Sequence, residues 1–155
     1  MERIAIGQAA PDFELLDQDC MLVRLSDFAG RKVLLYFYPK ADTPSCTQQA
    51  CNVNLSLHSL ESKGMVAMGI SPDTCESLKS FAEKFSLHFP LLSDPEHKVA
   101  QIYGAWGQRH RESGDYEGIV RSSFVIDEDG KIIQSNYDVS PAETILRAEQ
   151  LLMMY

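Results

Sequence analysis

The chain has no apolar run approaching the ~20 residues that a membrane-spanning helix needs. It is also short of basic side chains, with 14 Lys and Arg against 22 Asp and Glu for a net charge of −8. That balance argues against nucleic acid or an anionic membrane as partner. Met1-Glu2-Arg3-Ile4 lacks the basic start and long apolar stretch of a secretory leader, so a cytoplasmic location is expected. There is no repeat, no low-complexity tract and no linker-like segment, which makes residues 1–155 one expected domain. No Cys-x-x-Cys pair occurs among the four cysteines. In a reducing compartment four cysteines are not expected to form a structural disulfide framework. The four histidines (His58, His88, His97, His110) show no ligand spacing with the cysteine that matters most below.

What the chain does have is an ordinary globular composition, 45% hydrophobic and 23% charged, and one distinctive segment. The apolar run Val33-Leu34-Leu35-Tyr36-Phe37-Tyr38 reads as a buried strand and leads into Pro39-Lys40-Ala41-Asp42-Thr43-Pro44-Ser45-Cys46, with Cys51 beyond. Thr43-Pro44 carries the signature of a helix start, Thr43 as N-cap and Pro44 at the first helical position. Cys46 then falls in the first turn, where unpaired N–H groups and the positive end of the dipole favour a thiolate. A cysteine so placed is expected to be nucleophilic.

The rest of the pattern supplies the frame. Cys46, Ala50, Val53, Leu57 and Leu60 form a core-facing helical stripe that Gly64 ends, and Met65 to Ile70 is a second buried strand. Strand, helix, strand in about 40 residues is a βαβ unit with parallel strands. Phe13–Leu16 and Met21–Leu25 read as short strands about a polar turn, and Ser26 to Gly30 as one helical turn. Asp73 with Glu76 resembles a capping box for a helix through Phe85, and Asp94-Pro95 starts a shorter one through about Ile102. Asp127-Glu128-Asp129-Gly130 marks a hairpin, and Ser140-Pro141-Ala142-Glu143 opens a terminal helix. Gly104 to Gly118, rich in glycine and charge, reads as a long loop. The expected architecture is α/β, a central mixed sheet with helices on both faces.

Pro39-x-x-x-Thr43-x-x-Cys46 matches the active-site pattern of the peroxiredoxins. The wider string from Tyr36 to Cys51 resembles their bacterioferritin comigratory protein branch, or Q type. So do Ala10-Pro11-Asp12-Phe13, Leu25-Ser26-Asp27-Phe28, Leu91-Leu92-Ser93-Asp94, Tyr103 to Gly107 and Arg121 to Asp127. The resemblance implies a thioredoxin-like fold with an N-terminal extension. It implies reduction of hydrogen peroxide or organic hydroperoxides without haem, metal or other cofactor. Thioredoxin is the implied reductant, with glutaredoxin as second candidate, and the implied assembly is a monomer or weak dimer. Matched position by position, Cys46 is the peroxidatic cysteine and Cys51 the resolving one. Thr43 hydrogen-bonds thiolate and peroxide, Pro39 shields the pocket, and Arg121 brings a cation. Ser45, Gln49 and Cys20 depart from residues common in the family, Gln49 standing where many members have glutamate. Other Q-type members resolve from the following helix, so Cys75 stands as a rival to Cys51; apart from that, Cys75 and Cys20 both read as incidental.

An intact helix holds positions 46 and 51 more than ~8 Å apart at their Cα atoms, beyond the ~7 Å reach of a disulfide. A Cys46–Cys51 bond therefore requires the first turns of the helix to unwind. A thioredoxin-like protein disulfide oxidoreductase is the alternative function, disfavoured by the four residues between the two cysteines. A zinc module is third, disfavoured because only two cysteines lie close in sequence.

Overall fold

The structure is a computed structural model that describes residues 3–154. Met1, Glu2 and Tyr155, which belong to the domain span expected from sequence, lie outside the described residues. Nine strands and five α-helices alternate along it: β1 (Glu14–Leu16), β2 (Leu22–Arg24), β3 (Lys32–Phe37), α1 (Pro44–Leu55), α2 (Leu57–Ser62), β4 (Met65–Ser71) and α3 (Cys75–Phe85). Then come β5 (Leu91–Ser93), α4 (Lys98–Ile102), β6 (Trp106–Arg111), β7 (Gly114–Ile119), β8 (Ser122–Ile126), β9 (Ile132–Asn136) and α5 (Glu143–Leu152). Seven strands form one mixed sheet in the order β2-β1-β5-β4-β3-β8-β9, as the α/β reading requires.

Strand β3 is the axis of the sheet. Its residues from Val33 to Phe37 are at most 1% exposed because both faces are covered, which is why they read as one continuous apolar run. Leu34 and Tyr36 point to a core that also holds Cys46, Ala50, Val53, Leu78, Phe81 and Ala148. Val33, Leu35 and Phe37 point to the other core, with Phe13, Val99, Tyr103 and Phe124. β3 pairs parallel with β4 and antiparallel with β8. The C-terminal end of β3, that of β4 and the N-terminal end of β8 therefore meet at one edge of the sheet. The loop to α1, the start of α3 and Arg121 all issue from that edge.

Five local expectations are corrected. The expected helix to Gly64 is two helices, broken at Ser56, whose N–H bonds back to Val53 O at 3.0 Å in the tighter three-residue pattern. Thr74, not Asp73, caps α3, its side chain accepting from Ser77 N at 3.2 Å. Asp94 does not open a helix in sequence with Pro95: its carboxylate reaches forward to the N–H groups of Val99 and Ala100, and α4 begins at Lys98. The segment expected as a loop before Gly118 is a two-stranded ribbon, β6 paired with β7 from Trp106↔Ile119 to Arg111↔Gly114. Its glycines made it look irregular, and cross-strand pairing of otherwise polar residues overrides that.

The fifth correction is covalent. Cys20 and Cys75 are joined in a disulfide across 55 positions of sequence, with Cα atoms 5.6 Å apart. It staples the β1–β2 turn to the first residue of α3. In the chain-entropy account a crosslink of that span is worth about 4 kcal/mol. Neither cysteine is incidental, and Cys75 is already bonded elsewhere than to Cys46.

Two measurements test these packing arguments. A Cβ added at Gly69 would lie 2.8 Å from Tyr36 Cζ, and Tyr36 is fully buried. Gly69→Ala is expected to cost about 1–3 kcal/mol by overpacking, read as a lower urea midpoint. At α5, Glu143 accepts from Ser140 N–H at 2.9 Å and from Arg147 Nη2 at 2.7 Å. The Ser140 amide first, then Arg147, pulls the Glu143 carboxyl down to about 2 from 4.5. A lowered folded-state value means the contribution is complete above about pH 4.5 and disappears as pH falls through 2. Thermal unfolding of Glu143→Gln should therefore fall below wild type above that range and converge with it in acid.

Candidate active site

Thr43 occupies the N-cap position of α1 and Pro44 follows inside the helix, as the sequence predicts. The first helical hydrogen bond runs from Thr47 N to Thr43 O at 2.8 Å. The amides of Ser45 and Cys46 precede it and have no carbonyl partner within the helix. Thr43 does not cap with its side chain: the hydroxyl donates to Lys40 O at 2.7 Å, closing the loop on itself. Asp42 in that loop adopts a left-handed φ of 60° and holds Lys84 of α3 at 2.9 Å. The loop is held a second time by Asp73, whose carboxylate accepts the Ala41 N–H at 2.8 Å and the Ser71 hydroxyl at 2.7 Å.

Cys46 is 1% exposed and free, in the same core as Tyr36 and Tyr38. Arg121 meets it from β8, its Nη2 donating to Sγ at 3.4 Å. Antiparallel register explains the meeting. Phe37 pairs with Ser122, so the residue before Ser122 falls opposite the loop after β3. The Arg121 carbonyl is fixed by Val139 N–H at 3.0 Å. Its other terminal nitrogen, Nη1, donates to Gln49 Oε1. Gln49 is fully buried and donates through Nε2 to Thr144 Oγ1 of α5 at 2.7 Å. A line of contacts thus runs Cys46–Arg121–Gln49–Thr144 across three elements.

Burial pushes the phenols of Tyr36 and Tyr38 up from their ordinary value, so both stay neutral beside the sulfur. Among the described residues, neither hydroxyl has a hydrogen-bond partner. A cavity of about 250 Å³ lies beside Arg121, lined among others by Pro39, Pro72, Trp106, Arg109 and Arg121 itself. Pro39 lines that cavity and is exposed.

Cys51 is free, half-buried and packed against the same core, one and a half turns along an unbroken α1 from Cys46. Among the described residues, the grouping of Cys20, Cys75 and Glu76 gathers three metal-ligating side chains, and its two sulfurs are spent on each other. Sequence reasoning missed Gln49 and Thr144 as parts of the site. Gln49 offered one signal, a polar side chain one position before Ala50 on the buried stripe. Thr144 offered none.

The chain matches the AhpC/TSA family over residues 6–135. It is 50% identical over 134 residues to "Putative peroxiredoxin bcp" of Haemophilus influenzae, covering 86% of each chain. Against "Peroxiredoxin Bcp" of Escherichia coli strain K12 the identity is 48% over 132 residues, 85% of each. Among solved structures, the peroxidoxin BcpB of Mycobacterium tuberculosis superposes with a TM-score of 0.85 at 32% identity, over 96% of both chains. A cysteine-to-serine mutant of Xylella fastidiosa PrxQ superposes with a TM-score of 0.89 at 26% identity, over 97% of this chain and 98% of that one. With the Pro39-x-x-x-Thr43-x-x-Cys46 segment, the thioredoxin-like sheet and these relatives agreeing, the chain belongs to the AhpC/TSA family, as a thiol-dependent peroxidase of the peroxiredoxins of the Bcp and Q type.

Proposed function

We propose that Cys46 is the peroxidatic cysteine, that Cys51 resolves it, and that Arg121, Thr43 and Pro39 complete the site. The observation that carries this reading is the Arg121 Nη2 contact to Cys46 Sγ at 3.4 Å, at a helix start with unpaired amides. The guanidinium and the helix terminus both favour negative charge on that sulfur. The sulfur attacks one peroxide oxygen, the O–O bond breaks, and the second oxygen leaves as water or alcohol with a proton. Arg121 and the Ser45 and Cys46 amides face the charge that develops on the oxygens. The Thr43 hydroxyl, bonded to Lys40 O in this state, can turn to the peroxide because it donates and accepts at once.

The product is a sulfenic acid on Cys46. The Cys51 thiol displaces its hydroxyl as water to give a Cys46–Cys51 disulfide, and a dithiol reductant of the thioredoxin class returns both thiols while becoming oxidised itself. The substrates are hydrogen peroxide and organic hydroperoxides, the working form a monomer or weak dimer, and the location cytoplasmic. Helix geometry demands that the start of α1 unwind before the disulfide closes. Support for Cys51 over Cys75 comes from the Cys20–Cys75 bond, which engages the rival.

Peptide mapping after one equivalent of peroxide is expected to yield a Cys46–Cys51 link, and a Cys46–Cys75 link overturns the assignment of the resolving residue. Cys46→Ser abolishes turnover, whereas Cys51→Ser permits one oxidation and stalls at sulfenic acid, seen as an adduct with dimedone. Loss of helical circular dichroism accompanies oxidation of the wild type. Arg121→Ala lowers the second-order rate with peroxide by about a hundredfold or more, the scale for losing one preorganised donor. Gln49→Leu leaves Arg121 and Thr144 without their shared partner, and the expected cost is about 1–3 kcal/mol of stability with a smaller loss of rate.

A further inference from the structure

We propose that Cys20 and Cys75 are a second redox centre, which exchanges electrons with thiol reductants and, when closed, braces the active-site loop against unwinding. The brace rests on the reading of Cys46 and Cys51 given above. The exchange does not.

Three observations carry it. First, the pair is accessible: Cys20 is exposed and Cys75 half-buried, unlike the 1% exposed Cys46. Exposed disulfides are the labile and regulatory ones. Second, Cys20 has a left-handed φ of 56°, in a turn tied by Cys20 N–H to Asp17 O at 2.9 Å and Asp17 N–H to Met21 O at 2.9 Å. Glycine or asparagine suits that conformation, and a cysteine held there is a backbone outlier whose side chain is spent on the bond to Cys75. Third, the far end of the bond leads to the site. Cys75 is the first residue of α3, and Asp73, two residues earlier, holds the Ala41 N–H at 2.8 Å. Ala41 lies inside the loop between Pro39 and Thr43 that must move when α1 unwinds. Lys84 of the same helix holds Asp42 at 2.9 Å.

The exchange is balanced as a two-electron step. A thiolate of the reductant attacks one sulfur of the pair, and the S–S bond breaks to release the other as a thiol. A second reductant thiol then completes a disulfide on the reductant and leaves Cys20 and Cys75 both reduced. Cys20, the exposed sulfur, is the one attacked, and the half-buried Cys75 is the one released. With the bond closed, the start of α3 is anchored to the β1–β2 turn and the Asp73 contact is held in place. With it open, that anchor is lost and the loop is freer to follow α1.

The first test uses Cys46→Ser/Cys51→Ser protein, which retains only this pair, equilibrated in a series of glutathione buffers and alkylated under native conditions. Mass spectrometry is expected to show two thiols appearing together and closing again on return to oxidising buffer. A pair that stays closed across the whole series in the folded protein, or never recloses, overturns the redox assignment. The second test compares wild type, its pair verified closed, with Cys20→Gly, which suits the left-handed turn and whose native fold is verified by circular dichroism. Acid-quenched alkylation after a peroxide pulse reads the rate of Cys46–Cys51 closure. Closure in Cys20→Gly is expected to be about twofold to thirtyfold faster, the range of such couplings. Equal rates overturn the brace. Failure of Cys51 to link with Cys46 in either protein overturns the brace together with the reading it rests on, while the first test is decided without either cysteine.

Discussion

The contact between the Arg121 guanidinium and the Cys46 sulfur depends on strand register more than on anything local to either residue. Cys46 arrives from β3 by way of a six-residue loop and the first turn of α1. Arg121 arrives from the opposite chain direction, at the head of β8. Because β8 runs antiparallel to β3 with Ser122 opposite Phe37, the cation lands beside the thiol. A slip of one residue would turn Arg121 to the other face of the sheet. The register is protected in turn by two apolar cores, one on each face of β3, which no single-residue shift could satisfy together.

Around that contact the fold arranges a second layer. Gln49 is held by α1, Thr144 by α5, and together they fix the far side of the guanidinium. A glutamine there donates one hydrogen bond and accepts another without adding a charge that would neutralise the cation. The neutral phenols of Tyr36 and Tyr38 share the core with the sulfur, so that Arg121 is the charged side chain bonded to it. The loop over the site is not free either, since Asp73 and Lys84 secure it at Ala41 and Asp42.

Much of this was legible in the sequence because it was written locally. The continuous apolar runs that became β3 and β4, the proline inside the start of α1 and the Asp127–Gly130 turn each encode a conformation within a few residues. The helix start that carries Cys46 was legible for the same reason. What was hidden was encoded by distance. No periodicity signals that Cys20 will meet Cys75 across 55 positions, nor that Thr144 will receive a hydrogen bond from Gln49. The ribbon of β6 and β7 was hidden differently: its strands are polar and glycine-rich, so pairing between them outweighed a composition that reads as loop. The break at Ser56 was masked because an apolar stripe can continue in phase across two helices, as Leu60 does after Val53.

That break has a mechanical meaning. The carboxyl end of α1 is moored by Asn54, which donates to Ser86 O at 3.0 Å and accepts the His88 N–H at 2.8 Å. One residue past Leu55 the chain begins α2 anew, so the two helices share no uninterrupted ladder. The unwinding proposed for α1, starting at Thr43, would meet a bulkhead at Asn54 to Ser56. The disturbance would be contained within about three turns of coil, and the packing of α2 against β4 would stay standing while the sulfurs change partners.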